Sequence, residues 1–363
     1  MEPVPPDLDG ASIAGLVPAL VGERDYDWVP AAARAADAVV LLVLDGLGWS
    51  AIRDHAADMP VLTAMFGGPI TSVVPSTTAT ALTSICTGLA PAQHGVVGYR
   101  MLVDGSVLNC LRWTVADGKR PPNPEDVQRH PSFLGRDITV ITRAEFRNSG
   151  FSRAHLRGAR FKGWHTTAML VEECARAVNA GDRFVYAYYP GVDNVAHEYG
   201  LHDHVYRREL AFADRLVGEL LDALPERAAL LVTSDHGQIH LEPDAWIELG
   251  DVASLVQTQT GDARFRSLYA KPGRHKELAA AARDAFAQQA WVRTRAELLD
   301  EGWLGTGATG SIPGRIGDVV LAAFESVGFV DPLAPHETSL RSGHGSLTPD
   351  EMFVPLLAGP GRA

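Results

Sequence analysis

The chain has 363 residues, 46% of them hydrophobic and 21% charged, with a formal charge of −12. That composition is ordinary for a globular protein, and the length suits two compact units or one large α/β unit with an insertion. The acidic balance excludes a general nucleic-acid surface, which needs a basic face, yet admits a small anionic substrate held through bound cations. Three widely separated cysteines, Cys86, Cys110 and Cys174, predict reduced, buried thiols and a cytoplasmic protein. The acidic, proline-rich start, Met1 to Asp7, lacks the basic region of a signal peptide. No apolar run approaches the roughly 20 residues needed to span a bilayer, so no membrane partner is expected.

Residues 11–35 read as helical and peripheral. Residues 38–44 form a continuous apolar run rich in β-branched side chains, which predicts a central parallel strand buried on both faces. It stops at Asp45-Gly46, where open α/β sheets bind ligands; the plain alternative for Asp45 is a helix cap. Residues 50–68 read as a helix ending at Gly67-Gly68, and 70–74 as a short strand. Pro75 ends that strand, and Ser76-Thr77-Thr78 offers cap oxygens to a helix of small residues that stops at Gly88. The first turn of this helix points free N–H groups at one spot in front of Thr78. A phosphoryl group fits there, with a threonine placed as its nucleophile. By chemistry alone Ser76 and Thr77 are alternatives.

Residues 99–135 predict two or three short strands, and 137–142 and 184–189 predict buried strands. Residues 168–180 and 206–224 predict amphipathic helices. Asp193 and His197 are four apart, so one helical turn lets both share a cation. Residues 229–233 predict a strand ending in Ser234-Asp235-His236-Gly237. Asp235 and His236 can share a site only where the strand has turned, since neighbours on a strand point to opposite faces. Residues 245–325 change character, with strands at 266–269 and 318–323 around a helix at 275–290. This reads as a small α+β subdomain or insertion. The chain then returns through a polar loop carrying His344 to a last short strand at 354–359.

Asp45, Thr78, Asp193, His197, Asp235, His236 and His344 thus gather along one edge of a parallel sheet. Three Asp and three His are ligands for borderline divalent cations, Zn2+ first and Mn2+ or Fe next. Six such ligands suffice for two metals, which can acidify a hydroxyl and clamp an in-line phosphoryl transfer. His94 reads as a loop brace, and His202, His204 and His240 as rim histidines. Cys86 reads as core, and Trp49 as packing or pocket lining.

Val43-Leu44-Asp45-Gly46, Pro75 to Gly95, Asp193-x-x-x-His197, Ser234-Asp235-His236-Gly237 and His344-Gly345 resemble, in order, the motifs of the alkaline phosphatase superfamily. The resemblance is closest to its nucleotide pyrophosphatase/phosphodiesterase branch. It implies a three-layer α/β/α sandwich around a mostly parallel sheet, as one catalytic domain over residues 1–363. It implies Thr78 as nucleophile through a phospho-threonine intermediate. Asp193, His197 and His344 would hold one metal; Asp45, Asp235, His236 and the Thr78 oxygen would hold the other. The implied substrate is a small phosphodiester or pyrophosphate, including nucleotides. In this branch an asparagine commonly sits 21 residues after the nucleophile. Tyr99 stands there, followed by Arg100, and these two are the candidate phosphate-binding replacements. A phosphomonoesterase or phosphonoacetate-hydrolase-like enzyme would use the same metals. A sulfatase is unlikely, because Thr78-Ala79-Thr80-Ala81-Leu82 lacks the Cys or Ser followed by x-Pro-x-Arg. A phosphoglycerate mutase would need a serine and a large inserted domain.

Overall fold

A computed structural model describes residues 1–22, 26–115 and 117–363. Seven strands form the main sheet: β1 (Ala38–Leu44), β2 (Phe66–Thr71), β6 (Thr139–Arg143), β7 (Arg160–Trp164), β8 (Phe184–Tyr189), β9 (Ala228–Thr233) and β14 (Phe353–Pro360). Their order is β2-β14-β9-β1-β8-β6-β7. β9, β1, β8, β6 and β7 are parallel neighbours, while β14 runs antiparallel between β9 and β2.

All seven residues of β1 are buried. Val39, Leu41 and Val43 enter one apolar cluster, and Val40, Leu42 and Leu44 enter another on the opposite face. That alternation is why the run contains no polar residue: both faces are covered. Helix α1 (Thr78–Thr87) lies on the first face. Helices α2 (Thr167–Asn179) and α4 (His204–Ala223) lie on the second, with α3 (Gly191–Tyr199) between them in sequence. The result is the expected three-layer α/β/α arrangement.

All ten residues of α1 are buried. Two of its hydroxyls bond back within the helix: Thr83 donates to the Ala79 carbonyl and Thr87 to that of Thr83, each at 2.7 Å. This back-bonding lets a threonine-rich helix sit in an apolar layer. Two further sheets cover the carboxyl edge. One is β3 (Arg100–Val103), β4 (Ser106–Asn109) and β5 (Thr114–Val115). The other is antiparallel, with β10 (Val256–Gly261), β11 (Phe265–Ala270), β13 (Val319–Ala323) and β12 (Ala290–Thr294) in that order, backed by α5 (His275–Phe286).

Several local expectations change. The helix expected over 50–68 breaks into Trp49–Asp54, a 3-10 turn at Ala56–Asp58 and Pro60–Ala64. Gly67 and Gly68 lie inside β2 rather than ending a helix. At Gly67, with φ +150, a Cβ would sit 1.9 Å from the Leu356 carbonyl oxygen, so only glycine lets β2 approach β14. The helix read over 11–35 is short turns at Ile13–Gly15, Leu16–Leu20 and Ala31–Ala35, and its residues 23–25 lie outside the described residues. Residue 116, within the 99–135 reading, also lies outside them. The strand expected over 70–74 spans Phe66–Thr71, and the last strand is eight residues long and interior to the sheet.

Candidate active site

The carboxyl ends of β1, β8 and β9 meet the start of α1 and the loop after Ser342–Gly343. Thr78 is the first residue of α1. Its Oγ1 lies 3.1 Å from His236 Nε2. The two neighbouring hydroxyls point elsewhere. Ser76 Oγ donates to the Ser346 carbonyl at 2.7 Å, and Thr77 Oγ1 donates to Asp262 Oδ1 at 2.9 Å. Of the three candidate nucleophiles, only Thr78 faces the histidine and aspartate groups.

Three imidazoles are fixed in one way. The Nδ1 atom of His236 bonds the Gly237 carbonyl at 3.0 Å, that of His344 the Ser76 carbonyl at 3.0 Å, and that of His197 the Ser342 carbonyl at 3.1 Å. A carbonyl only accepts, so each Nδ1 carries a proton and Nε2 is the nitrogen turned toward the aspartates. This is the usual outer support of a metal-binding histidine. His236 Nε2 lies 3.5 Å from both Asp45 Oδ1 and Asp235 Oδ2. His197 Nε2 and His344 Nε2 lie 3.3 and 3.8 Å from Asp193 Oδ1.

Asp45 takes a hydrogen bond from the Tyr188 hydroxyl on Oδ2. Asp235 takes bonds on Oδ1 from the Gly46 and His236 amides, each at 3.1 Å. The other oxygens, Asp45 Oδ1 and Asp235 Oδ2, are buried with no partner. Burial, then the nearby charges of Asp235 and Asp193, raise the Asp45 carboxyl well above its ordinary range. Burial, then His236 and His197, push His344 well below the ordinary histidine value. Three carboxyl groups and three imidazoles, with Asp45 Oδ1 and Asp235 Oδ2 unpartnered, have the donor chemistry of a cation site. The groups whose atoms come within 4.8 Å of one another are Asp193–His197–His344 and Asp45–Asp193–His236. Asp193 Oδ1 thus stands between both, held by the Gln238 side chain at 3.1 Å.

Two cavities meet over Thr78. One, of about 370 Å³, is lined by Tyr99, Arg112, Asp262, His336 and Glu337. The other, of about 330 Å³, is lined by Leu82, Phe146, Phe151, Leu156, Tyr186 and Tyr188. Thr78, Leu111, Asp193 and Asn194 line both. Burial raises Asp262 to about 7, against the lowering bonds from Thr77 and the Tyr99 amide.

Tyr99 therefore borders the cleft, and its hydroxyl accepts from Asn109 Nδ2 at 2.7 Å. Arg100 does not line either cavity. It begins β3, so its side chain takes the face opposite Tyr99 and is buried in an ion pair with Asp331. His94 braces the loop after α1, bonded to Ser84 Oγ at 2.9 Å and accepting from the Val96 amide at 3.1 Å. Cys86 is buried in α1, where burial raises its thiol. Trp49 is half-buried against the second apolar cluster. His204 is exposed and pairs with Asp203 at 3.1 Å. His202 and His240 stack with ring centroids 4.1 Å apart, and Glu242 joins them as a third possible ligand group. There the Leu201 amide donates to His240 Nδ1 at 3.2 Å. That places the proton on Nε2 toward Glu242, the reverse of the three active-site histidines.

Asp262, Asn194, Leu111, Arg112 and Tyr188 were not foreseen. Tyr188 alternates with Tyr186 on a buried strand, and Asn194 follows a candidate ligand, so each carried a local signal. Asp262 showed only a Gly-Asp turn, and Leu111 and Arg112 lie in a loop whose placement is tertiary.

Among solved structures, the murine ectonucleotide pyrophosphatase/phosphodiesterase 5 is similar, with a TM-score of 0.69 at 16% identity, covering 89% of this chain and 88% of that one. An inactive threonine-to-alanine variant of that murine protein, in complex with AMP, is similar at 15% identity and a TM-score of 0.68, covering 88% of this chain and 87% of that one. Phosphonoacetate hydrolase from Sinorhizobium meliloti 1021, in complex with phosphonoformate, is similar at 20% identity and a TM-score of 0.62, covering 89% and 90%. These likenesses show the fold. No curated protein matches the chain by sequence. The family model for type I phosphodiesterase/nucleotide pyrophosphatase matches residues 39–145 and 113–346. Those stretches carry every aspartate and histidine gathered around Thr78, and the chain belongs to the type I phosphodiesterase/nucleotide pyrophosphatase family of phosphoric-ester hydrolases.

Proposed function

We propose that the protein hydrolyses a phosphodiester or pyrophosphate through Thr78. The observation that carries this is the two-armed cleft: two cavities join at Thr78. A diester has two substituents on phosphorus and needs two places for them, whereas a monoester needs one. Phe146, Phe151 and Tyr188 in one arm offer a stacking surface to an aromatic substituent, and both arms carry an arginine, Arg143 in that one and Arg112 in the other.

Two divalent cations, Zn2+ by preference for this Asp/His set, would be held by Asp193, His197 and His344 and by Asp45, Asp235 and His236, supplying positive charge for the phosphoryl oxygens and acidity for a hydroxyl. Thr78 Oγ1 attacks phosphorus, and the bond to one substituent breaks as that group leaves. Water then hydrolyses the phospho-threonine and restores the hydroxyl. The first turn of α1 directs N–H groups at the charge that develops. The Nδ1 bonds of the three histidines hold their rings in place throughout. The inactive threonine-to-alanine variant of the murine relative supports a threonine in this role.

Phosphonate cleavage is the second reading. Arg112 favours it, since a carboxylate on the leaving group needs a counter-charge in the cleft. We treat residues 1–363 as one catalytic domain, with 245–325 as an insertion. Three free, buried cysteines support a reducing, cytoplasmic setting, and among the described residues no helix is long and apolar enough to cross a membrane. The test is hydrolysis of chromogenic diesters by wild type and Thr78→Ala. Loss of turnover with metal content retained is expected, and near-normal turnover in the variant removes the mechanism.

A further inference from the structure

Thr77 has the backbone of a helix cap, φ −131 and ψ 145, directly before α1, yet its side chain makes no bond to the helix. Threonine is a good cap residue whose oxygen normally accepts from an amide of the first turn. Thr294 and Ser149 do so at their own helices, whereas Thr348, like Thr77, donates to a carboxylate instead. At Thr77 the hydroxyl instead donates to Asp262 Oδ1 at 2.9 Å. The other Asp262 oxygen accepts from the Tyr99 amide at 3.3 Å.

Asp262 is held firmly for this task. It lies in the turn between β10 and β11, where its amide donates to the Phe265 carbonyl at 3.1 Å and its carbonyl accepts from the Phe265 amide at 3.2 Å. Gly261 closes that turn at φ +89, where a Cβ would sit 2.1 Å from the Phe265 oxygen. The carboxylate is buried. The spot in front of α1 is marked as a ligand site independently, by the unpartnered oxygens of Asp45 and Asp235, each 3.5 Å from the His236 nitrogen that Thr78 touches.

We propose that Asp262 is a positioning residue that holds the Thr77 hydroxyl away from the cap position, so that the first-turn N–H groups of α1 stay open to a phosphoryl group at Thr78. The same carboxylate fixes the backbone at Tyr99, which lines the cleft beside Thr78. The small antiparallel sheet thereby acts on the nucleophile helix through one side chain. The proposal rests on the Thr78 hydrolase reading.

Without the carboxylate, Thr77 is free to turn and cap the Ala79 and Thr80 amides. Asp262→Ala is then expected to fold, keep its metal, and lose about 100-fold in kcat with KM changed less than threefold, on the scale of lost oxyanion donors. Adding Thr77→Val removes the competing hydroxyl and is expected to restore at least tenfold of that loss. Asp262→Asn, whose amide can satisfy both partners, retains most activity. A merely structural role predicts the opposite for the double variant, namely a further loss. Asp262→Ser replaces the alanine variant in the same comparison if the latter fails to fold. Asp262→Ala within threefold of wild type, or a double variant no better than the single, overturns the proposal. Retained turnover in Thr78→Ala overturns instead the hydrolase reading on which it rests.

Discussion

At the scale of single residues, the site is defined by which atoms lack partners. His344 and His197 present Nε2 toward Asp193 because their Nδ1 atoms are spent on backbone carbonyls. His344→Ala is therefore expected to lose one of two bound metals; an unchanged metal-to-protein ratio by elemental analysis would remove it from the ligand set. Arg112 lines the cleft with no ion pair among the described residues, whereas Arg143, which lines the other arm, is paired with Glu145 at 2.5 Å. Arg112→Ala should lower kcat/KM about tenfold for substrates whose leaving group is a phosphate or carboxylate, and less than twofold for a diester with an uncharged leaving group. Equal losses on both would deny Arg112 a part in selecting charge. All the candidate ligands but His344 were legible because each sits at the end of an apolar run or one helical turn from another; His344 lies in a polar loop and was placed by the family resemblance alone. Arg100 was not, because only the fold shows that Asp331 lies beneath it.

At the scale of elements, α1 is a polar-sequence helix in an apolar layer, and it depends on its C-terminal brace. His94 is buried against Ser84 and the Val96 amide, and burial, then the charges of His130 and Arg315, push its pKa down to about 3. The unfolded chain binds a proton near the ordinary histidine value, while the fold refuses it until far lower pH. The stability linked to His94 is thus complete above about pH 6.5 and is lost as pH falls toward 3. At pH 5 the loss amounts to about 2 kcal/mol. Denaturant unfolding of wild type and His94→Gln should show a gap that narrows by that amount between pH 7 and pH 5; a gap independent of pH contradicts it. β2 gives a second element-level prediction. Gly67→Ala forces the edge strand off the Leu356 carbonyl and should cost about 2 kcal/mol or more, read by the same unfolding assay. β1 was legible from its unbroken apolar run, since both its faces are covered. β7 was not, because Arg160 to Trp164 alternates polar and apolar residues at the sheet edge. Nor was the interior place of β14, which depends on Gly67 admitting its backbone.

For the whole molecule, the order of motifs along the chain maps onto one edge of one sheet. Asp45, Asp193 and Asp235 follow β1, β8 and β9, which are neighbours. The parallel run of these strands forces their carboxyl ends together, so the sequence order already brought the three aspartates to one place. The cleft around it was hidden, since its walls come from the β4–β5 loop, the β10–β11 turn and the segment at Pro335–Ser339, each far from the others in sequence. In the proposed function, Thr78 and the Asp/His cluster serve a two-armed cleft for diesters. The most direct measurement is metal-supplemented hydrolysis of a matched chromogenic phosphodiester and phosphomonoester by wild type and Thr78→Ala. The account predicts at least tenfold preference for the diester and a loss of about 1,000-fold or more in the variant. Preference for the monoester, or turnover that survives in Thr78→Ala, would contradict it.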